Sequence, residues 1–306
     1  MTAVIESALP VFLALGLGML CRERKFLSRE GIDALKKVVL NITLPAVLLN
    51  AFASAEYTAS ALTQPVVMYL LCCLALGLGF AVLRLTGSKG RLTPYLASGF
   101  EAGMLGYALF ALLFPERSAS EFALPDLGQT LFVFTLYKFL LSGKTGIKAI
   151  LRDMVTSPIL WAVFAGVLLG ATGLYDRLHS RGVGGILDAA TGFVSAPTGM
   201  IILLTVGYDL VLRQIPWKQT AGLIALRLGI MAVICGILVA LNRTVLNGLF
   251  FEGAVLLMLI LPPPYVIPVF ADEPEERVKI SSALSAMTLV TMVLFAVLSV
   301  LFLHTP

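Results

Sequence analysis

The chain has 306 residues, 58% of them Ala, Val, Ile, Leu, Met, Phe, Trp, Tyr or Cys and only 13% charged, with a net charge of +4. Its mean hydropathy is +0.95, and the charged fraction is about half that usual in soluble domains. A water-soluble enzyme, a disulfide-rich secreted domain and a disordered chain are thereby excluded, and an all-α polytopic membrane protein remains.

Apolar runs bounded by charges, each near the ~20 residues one span requires, predict ten helices. The first five cover 4–21, 32–53, 66–86, 93–114 and 127–143. The opening run has no basic segment before it and ends at the cluster Arg22–Lys25, which reads as a retained helix rather than a cleaved signal. The second helix carries Pro45, with Asn41, Thr43 and Asn50 around it. The fourth contains SGFEAGMLGYALF, with Gly99, Gly103, Gly106 and Tyr107 beside the carboxylate Glu101. Pro115 to Leu127 is expected to be an external loop.

The second five helices cover 157–174, 184–211, 219–241, 251–271 and 280–303. The seventh holds Pro197, and 197 − 45 places it 152 positions after Pro45. The ninth is interrupted by Pro262, Pro263, Pro264 and Pro268, with Tyr265 among them. Three consecutive prolines and a fourth nearby cannot continue a helix, because each removes a donor and clashes with the preceding turn. The following loop, ADEPEERVK, is a solvated charge cluster whose spacing matches no calcium loop, so no metal is expected. Cys21, Cys72, Cys73 and Cys235 all fall in apolar stretches and suit packing, not disulfides. No cofactor motif is present, and no compact Lys/Arg run suggests nucleic acid.

Loop charge sets the orientation. Arg117, Arg177, Arg181 and Arg243 lie in the even-numbered loops, Lys138 and Arg227 lie inside helices, and the remaining sixteen of the 22 basic residues lie in the odd-numbered loops or at the helix ends that border them. Both termini are therefore expected outside the cytoplasm of a cell (inner) membrane. Five helices per half is an odd number, so residues 151–306 would enter the membrane from the side opposite to residues 1–150. That arrangement is an inverted repeat, in which paired Gly- or Pro-interrupted helices mark a substrate site. Unwound peptide groups cost several kcal/mol each in lipid and persist only where protein or a water-filled cavity satisfies them.

LPVFLALGLGMLCRERKFLSREGIDALKKVVLNITLPAVLL resembles the opening of the auxin efflux carrier family, the bacterial relatives of plant PIN proteins. TSPILWAVFAGVLLGATGL and APTGMIILLTVGYDL are similar to its sixth and seventh helices, and LMLILPPPYVIPVFADE with SSALSAMTLVTMVL to its ninth and tenth. The resemblance implies a scaffold of helices 1, 2, 6 and 7 and a transport domain of helices 3–5 and 8–10. It also implies crossing broken helices 4 and 9 at the substrate, elevator-like movement, a homodimer formed through the scaffold, and small organic anions as cargo. Two positions depart from the family pattern: Glu101 stands where Asn is usual, and Ala108 where the crossover Pro is usual. Helix 9 has Tyr265 and Val266 where an Asn commonly follows. The resemblance therefore does not name the cargo.

Intramembrane charge is expensive and usually functional. Glu101 is a coupling candidate for protons or sodium, with a structural pair to Arg227 as the alternative. Arg227 either serves an anionic cargo or snorkels; Lys138 is expected to snorkel. Asp188 and Glu252 suit the positive ends of helices 7 and 9, and Asp209 an interface. Asn41, Pro45, Asn50 and Pro197 are candidates for the scaffold side of the site, with the alternative that Asn41, Thr43 and Asn50 merely satisfy the carbonyls freed by Pro45. An intramembrane enzyme is disfavoured: His179 and His304 are the only histidines, and no GxSxG or HExxH motif occurs. A non-transporting receptor or channel on the same scaffold is the competing reading.

Overall fold

The computed structural model describes residues 2–58, 61–87, 90–142, 152, 155–210, 217–270 and 274–304, and among them all regular structure is helical. Helix α1 (Thr2–Glu23) leads to α2 (Arg29–Val38), whose N-cap Ser28 accepts the Gly31 N–H at 3.1 Å. A π turn (Val39–Thr43) joins α2 to α3 (Leu44–Ala53). Pro45 has no N–H for the carbonyl four residues back, and the chain widens to five-residue bonding just ahead of it.

α4 (Thr63–Thr86) is continuous, whereas the predicted fourth helix is not. It consists of α5 (Thr93–Leu96), an extended break, a π turn (Ala102–Gly106) and α6 (Tyr107–Leu113). α7 (Ser120–Phe132) runs through a second π turn (Val133–Tyr137) into α8 (Lys138–Ser142). The expected loop from Pro115 to Leu127 is thus corrected: helix begins at Ser120. Asp126 and Gln129 interrupt the apolar run in sequence, yet both are buried in the fold.

In the second half, α9 (Pro158–Ala171) bends by 67° into the polar α10 (Leu174–Ser180). α11 (Gly184–Ser195) and α12 (Thr198–Asp209) meet at Pro197. α13 (Trp217–Thr244) is unbroken. α14 (Glu252–Ile260) stops before the prolines, a 3-10 turn (Ile267–Phe270) follows, and α15 (Pro274–His304) completes the described chain. Helix therefore begins inside the expected charged loop, and Asp272 and Glu273 of that loop lie outside the described residues.

Two glycine contacts fix the closest helix pairs. A Cβ on Gly18 of α1 would overlap the backbone of Leu204 and Tyr208 on α12. On Gly170 of α9 it would stand 2.8 Å from the Phe52 carbonyl oxygen of α3. Since 170 − 18 is 152, the two glycines have the separation of Pro45 and Pro197.

Four helical stretches are long and apolar enough to cross a membrane: Thr63–Thr86, Gly184–Asp209, Thr220–Thr244 and Lys279–Phe302. The bent pair Pro158–Ala171 and Leu174–Ser180 adds a fifth if it is one span. Large apolar side chains such as Val66, Leu70, Phe164, Phe193 and Val293 are exposed on the outer faces of these helices. Exposed apolar surface of that extent belongs against lipid or another protein. The chain is a helical membrane protein.

Candidate functional site

The two interrupted helices meet, and their loose peptide groups are matched one by one. At the first break, Gly99 has φ +64°, a conformation that costs an L residue with a side chain. A Cβ there would also lie 3.2 Å from Pro264 Cγ of the second break. The Glu101 N–H donates to the Pro262 carbonyl at 2.8 Å, tying the strands of the two breaks together.

Arg227 of α13 stands behind this junction and is only 3% exposed. Its guanidinium donates to the carbonyls of Leu96 (3.1 Å), Gly99 (2.9 Å) and Leu261 (2.6 Å). Leu96 and Leu261 stand at the ends of the two leading half-helices, where the helix dipole favours a cation, and Gly99 lies in the first break. Arg227 therefore neither snorkels nor pairs with Glu101; its planar fork spans three acceptors from two separate segments. Thr291 Oγ1 donates to the Ile260 carbonyl at 2.6 Å, and Gln129 to that of Phe100. Tyr137 donates its hydroxyl to the Tyr95 carbonyl at 2.9 Å.

Glu101 performs the opposite task. One carboxylate oxygen accepts the Met104 N–H at 3.0 Å, at the start of the π turn into α6. The other accepts the Tyr265 N–H at 2.7 Å, ahead of the 3-10 turn. One carboxylate thus caps both trailing segments while one guanidinium caps both leading ones. These peptide groups at the breaks are bonded to protein side chains rather than left bare toward a cleft.

That cavity has a volume of about 820 Å³, within the range of small-molecule sites. One wall comes from α2, α3, α9 and α12, through Asn41, Leu44, Phe52, Val163 and Val206. The other comes from the two breaks, α7 and α15, through Glu101, Gly103, Tyr107, Asp126, Gln129, Pro264, Tyr265, Pro268 and Thr288. Arg29, Lys36, Lys138 and Asp209 also line the cavity. Asp209 accepts from Arg29 at 2.6 Å and is paired with Lys36, and the Lys138 Nζ sits 4.2 Å from the centre of the Phe134 ring. Tyr107 donates its hydroxyl to Asp126 Oδ2 at 2.9 Å, and the Tyr265 hydroxyl lies 2.9 Å from Thr288 Oγ1.

Several residues singled out in the sequence stand elsewhere. Pro262, Pro263 and Gly106 are buried behind the wall; a Cβ on Gly106 would come within 2.8 Å of Leu261. Asn50 donates to Thr191 Oγ1 at 3.2 Å and fastens α3 to α11. Pro45 and Pro197 act at helix junctions, outside the cavity lining. Asn41 lines the cavity and donates to the Lys37 carbonyl at 2.7 Å. Asp188, expected as a dipole cap, instead accepts the Tyr175 hydroxyl at 2.9 Å and lies 2.7 Å from His179 Nε2, tying α10 to α11. Glu252 does open α14, and it receives two bonds from Arg243 at 2.8 and 2.6 Å.

The cavity-lining pair missed in the sequence is Asp126 and Gln129. They lie three residues apart, on one face of a helix, within an apolar stretch running from Phe122 to Phe134. That spacing was the available signal; Pro125 and Asp126 made the residues up to Leu127 read as loop, and Gln129 fell inside the expected fifth helix.

No family model matches the chain. It is similar to an uncharacterized transporter of Methanothermobacter thermautotrophicus, 26% identical over 218 residues that cover 68% of each chain.

Proposed function

We propose that the protein is a secondary active transporter of a small organic anion, bound beside the fastened helix breaks. The observation that carries this reading is the cavity itself: one wall is built from the two interrupted helices and the other from α2, α3, α9 and α12. A solute held there contacts two groups of helices that can slide past one another, as elevator-like alternating access requires. In this reading the chain forms ten spans in two inverted repeats, with spans 1, 2, 6 and 7 as scaffold and 3–5 with 8–10 as the moving domain.

Three findings support it. Gly18 and Gly170 share the 152-residue separation of Pro45 and Pro197, as two copies of one plan would. The related archaeal protein carries the name of transporter. Arg29, Lys36 and Lys138 in the cavity lining suit the approach of an anion, from the cytoplasmic side by the loop-charge rule. A homodimer through the scaffold, residence in the cell (inner) membrane with both termini on the non-cytoplasmic side, and proton or sodium coupling belong to the same proposal. Glu101 serves as the clamp that makes the two breaks travel as one body.

The test is uptake by liposomes containing the purified protein. A panel of labelled mono- and dicarboxylates, preselected by thermal shift because a ligand of the folded state raises the melting point, should include one that accumulates above equilibrium when a proton or sodium gradient is imposed. A channel on the same scaffold gives flux that never exceeds equilibrium, and a receptor gives binding without flux. Either result rejects the transporter reading.

A further inference from the structure

Among the described residues, two buried side-chain polar atoms have no hydrogen-bond partner: Thr43 Oγ1 and Asp126 Oδ1. Of the two residues, only Asp126 lines the cavity. It is 5% exposed, on α7, and its other oxygen accepts the Tyr107 hydroxyl at 2.9 Å. An ionised carboxylate oxygen so enclosed forfeits the hydrogen bonds that water would give it, which is costly. A proton on that oxygen removes the charge and converts it from acceptor to donor.

The surroundings favour a proton over a metal cation. A bound metal cation needs several oxygens around it, and the one oxygen bonded to this carboxylate is that of Tyr107. The titratable groups acting on Asp126 from packed elements are Tyr107 on α6, Glu101 at the break and Cys72 on α4. The guanidinium of Arg227 is turned to the three break carbonyls. Glu101 is less suited to exchange a proton, since each of its oxygens already accepts a backbone N–H.

We propose that Asp126 is the proton-binding site of the cavity: its Oδ1 takes a proton from water, and the resulting O–H donates to an anionic group of the bound solute. The coupling that follows rests on the transporter reading above. One O–H bond forms on loading and breaks on release, so one proton travels with each anion. A monoanion and its proton together carry no net charge, and the deprotonated, empty site resets the cycle.

Infrared difference spectroscopy of the full chain in lipid vesicles, with acid and base as the only additions, tests the site without any cargo. Acidification protonates every accessible carboxylate, so the signal is the C=O component that disappears between wild type and Asp126→Asn; it should shift in deuterium oxide and persist in Glu101→Gln. Tyr107→Phe, which keeps the ring, should move that component to higher frequency because the C=O on Oδ2 loses its donor. A spectrum in which Asp126→Asn removes no titrating component, or no frequency change of that component in Tyr107→Phe, overturns the assignment. The spectroscopic outcome holds whether or not uptake is found, so failure of this site and failure of the transporter reading remain distinct.

Discussion

Arg227→Met removes the guanidinium while keeping a long, flexible side chain in its place. Three carbonyl oxygens, those of Leu96, Gly99 and Leu261, then lose their donor. An orphaned buried acceptor costs about 1–3 kcal/mol, and three that share one donor do not add fully. Relief from burying the charge offsets part of the loss, leaving a net destabilisation of about 3–5 kcal/mol. At roughly 2 °C per kcal/mol for a chain of this size, the melting point in detergent should fall by about 6–10 °C. Arg227→Lys should lie between, because an ammonium is a point donor and cannot span two segments as the fork does. Hydrogen exchange sharpens the test: the amides of residues 97–101 and those of Leu261 and Tyr265 should gain exchange together, since one side chain holds both breaks. A variant melting within about 2 °C of wild type, or exchange rising at only one break, would refute the claim that Arg227 joins them.

Glu101→Gln keeps the size of the side chain but turns its NH2 toward one of two backbone donors. Opposed donors at Met104 or Tyr265 should cost about 1–3 kcal/mol, read as a lowered melting point; an unchanged value would show that the double cap is not needed. Gly99→Ala imposes a left-handed φ on a residue with a side chain, at about 1–2 kcal/mol, and adds the 3.2 Å contact with Pro264. Its stability should drop while the pattern of cavity labelling by a thiol reagent at engineered sites stays the same. Gly18→Ala and Gly170→Ala each drive a methyl group into the backbone of the neighbouring helix. Both should reduce the monodisperse yield on size exclusion, and Gly16→Ala, with open space around it, should not. Equal yields for all three would deny that these glycines set the helix spacing.

Much of the fold was legible from composition and periodicity. Apolar runs located the four stretches long enough to cross a membrane, Thr63–Thr86, Gly184–Asp209, Thr220–Thr244 and Lys279–Phe302, because lipid demands continuous apolar length, and the clustered prolines announced the second break because Pro cannot donate to the turn before it. Glu101 stood out for the same reason any intramembrane carboxylate does. What sequence could not supply was the partner of each polar group. Arg227 lies 131, 128 and 34 positions from the three carbonyls it binds, and carbonyls leave no mark in a sequence. Asp126 fell in the expected loop and Gln129 drew no notice inside the fifth helix, because polarity alone does not distinguish a residue facing water outside from one facing a cavity within. Hydrophobic length thus determined that the chain is a helical membrane protein, whereas only tertiary packing decided which distant backbone ends share one guanidinium and one carboxylate, because that pairing depends on where the chain returns in space.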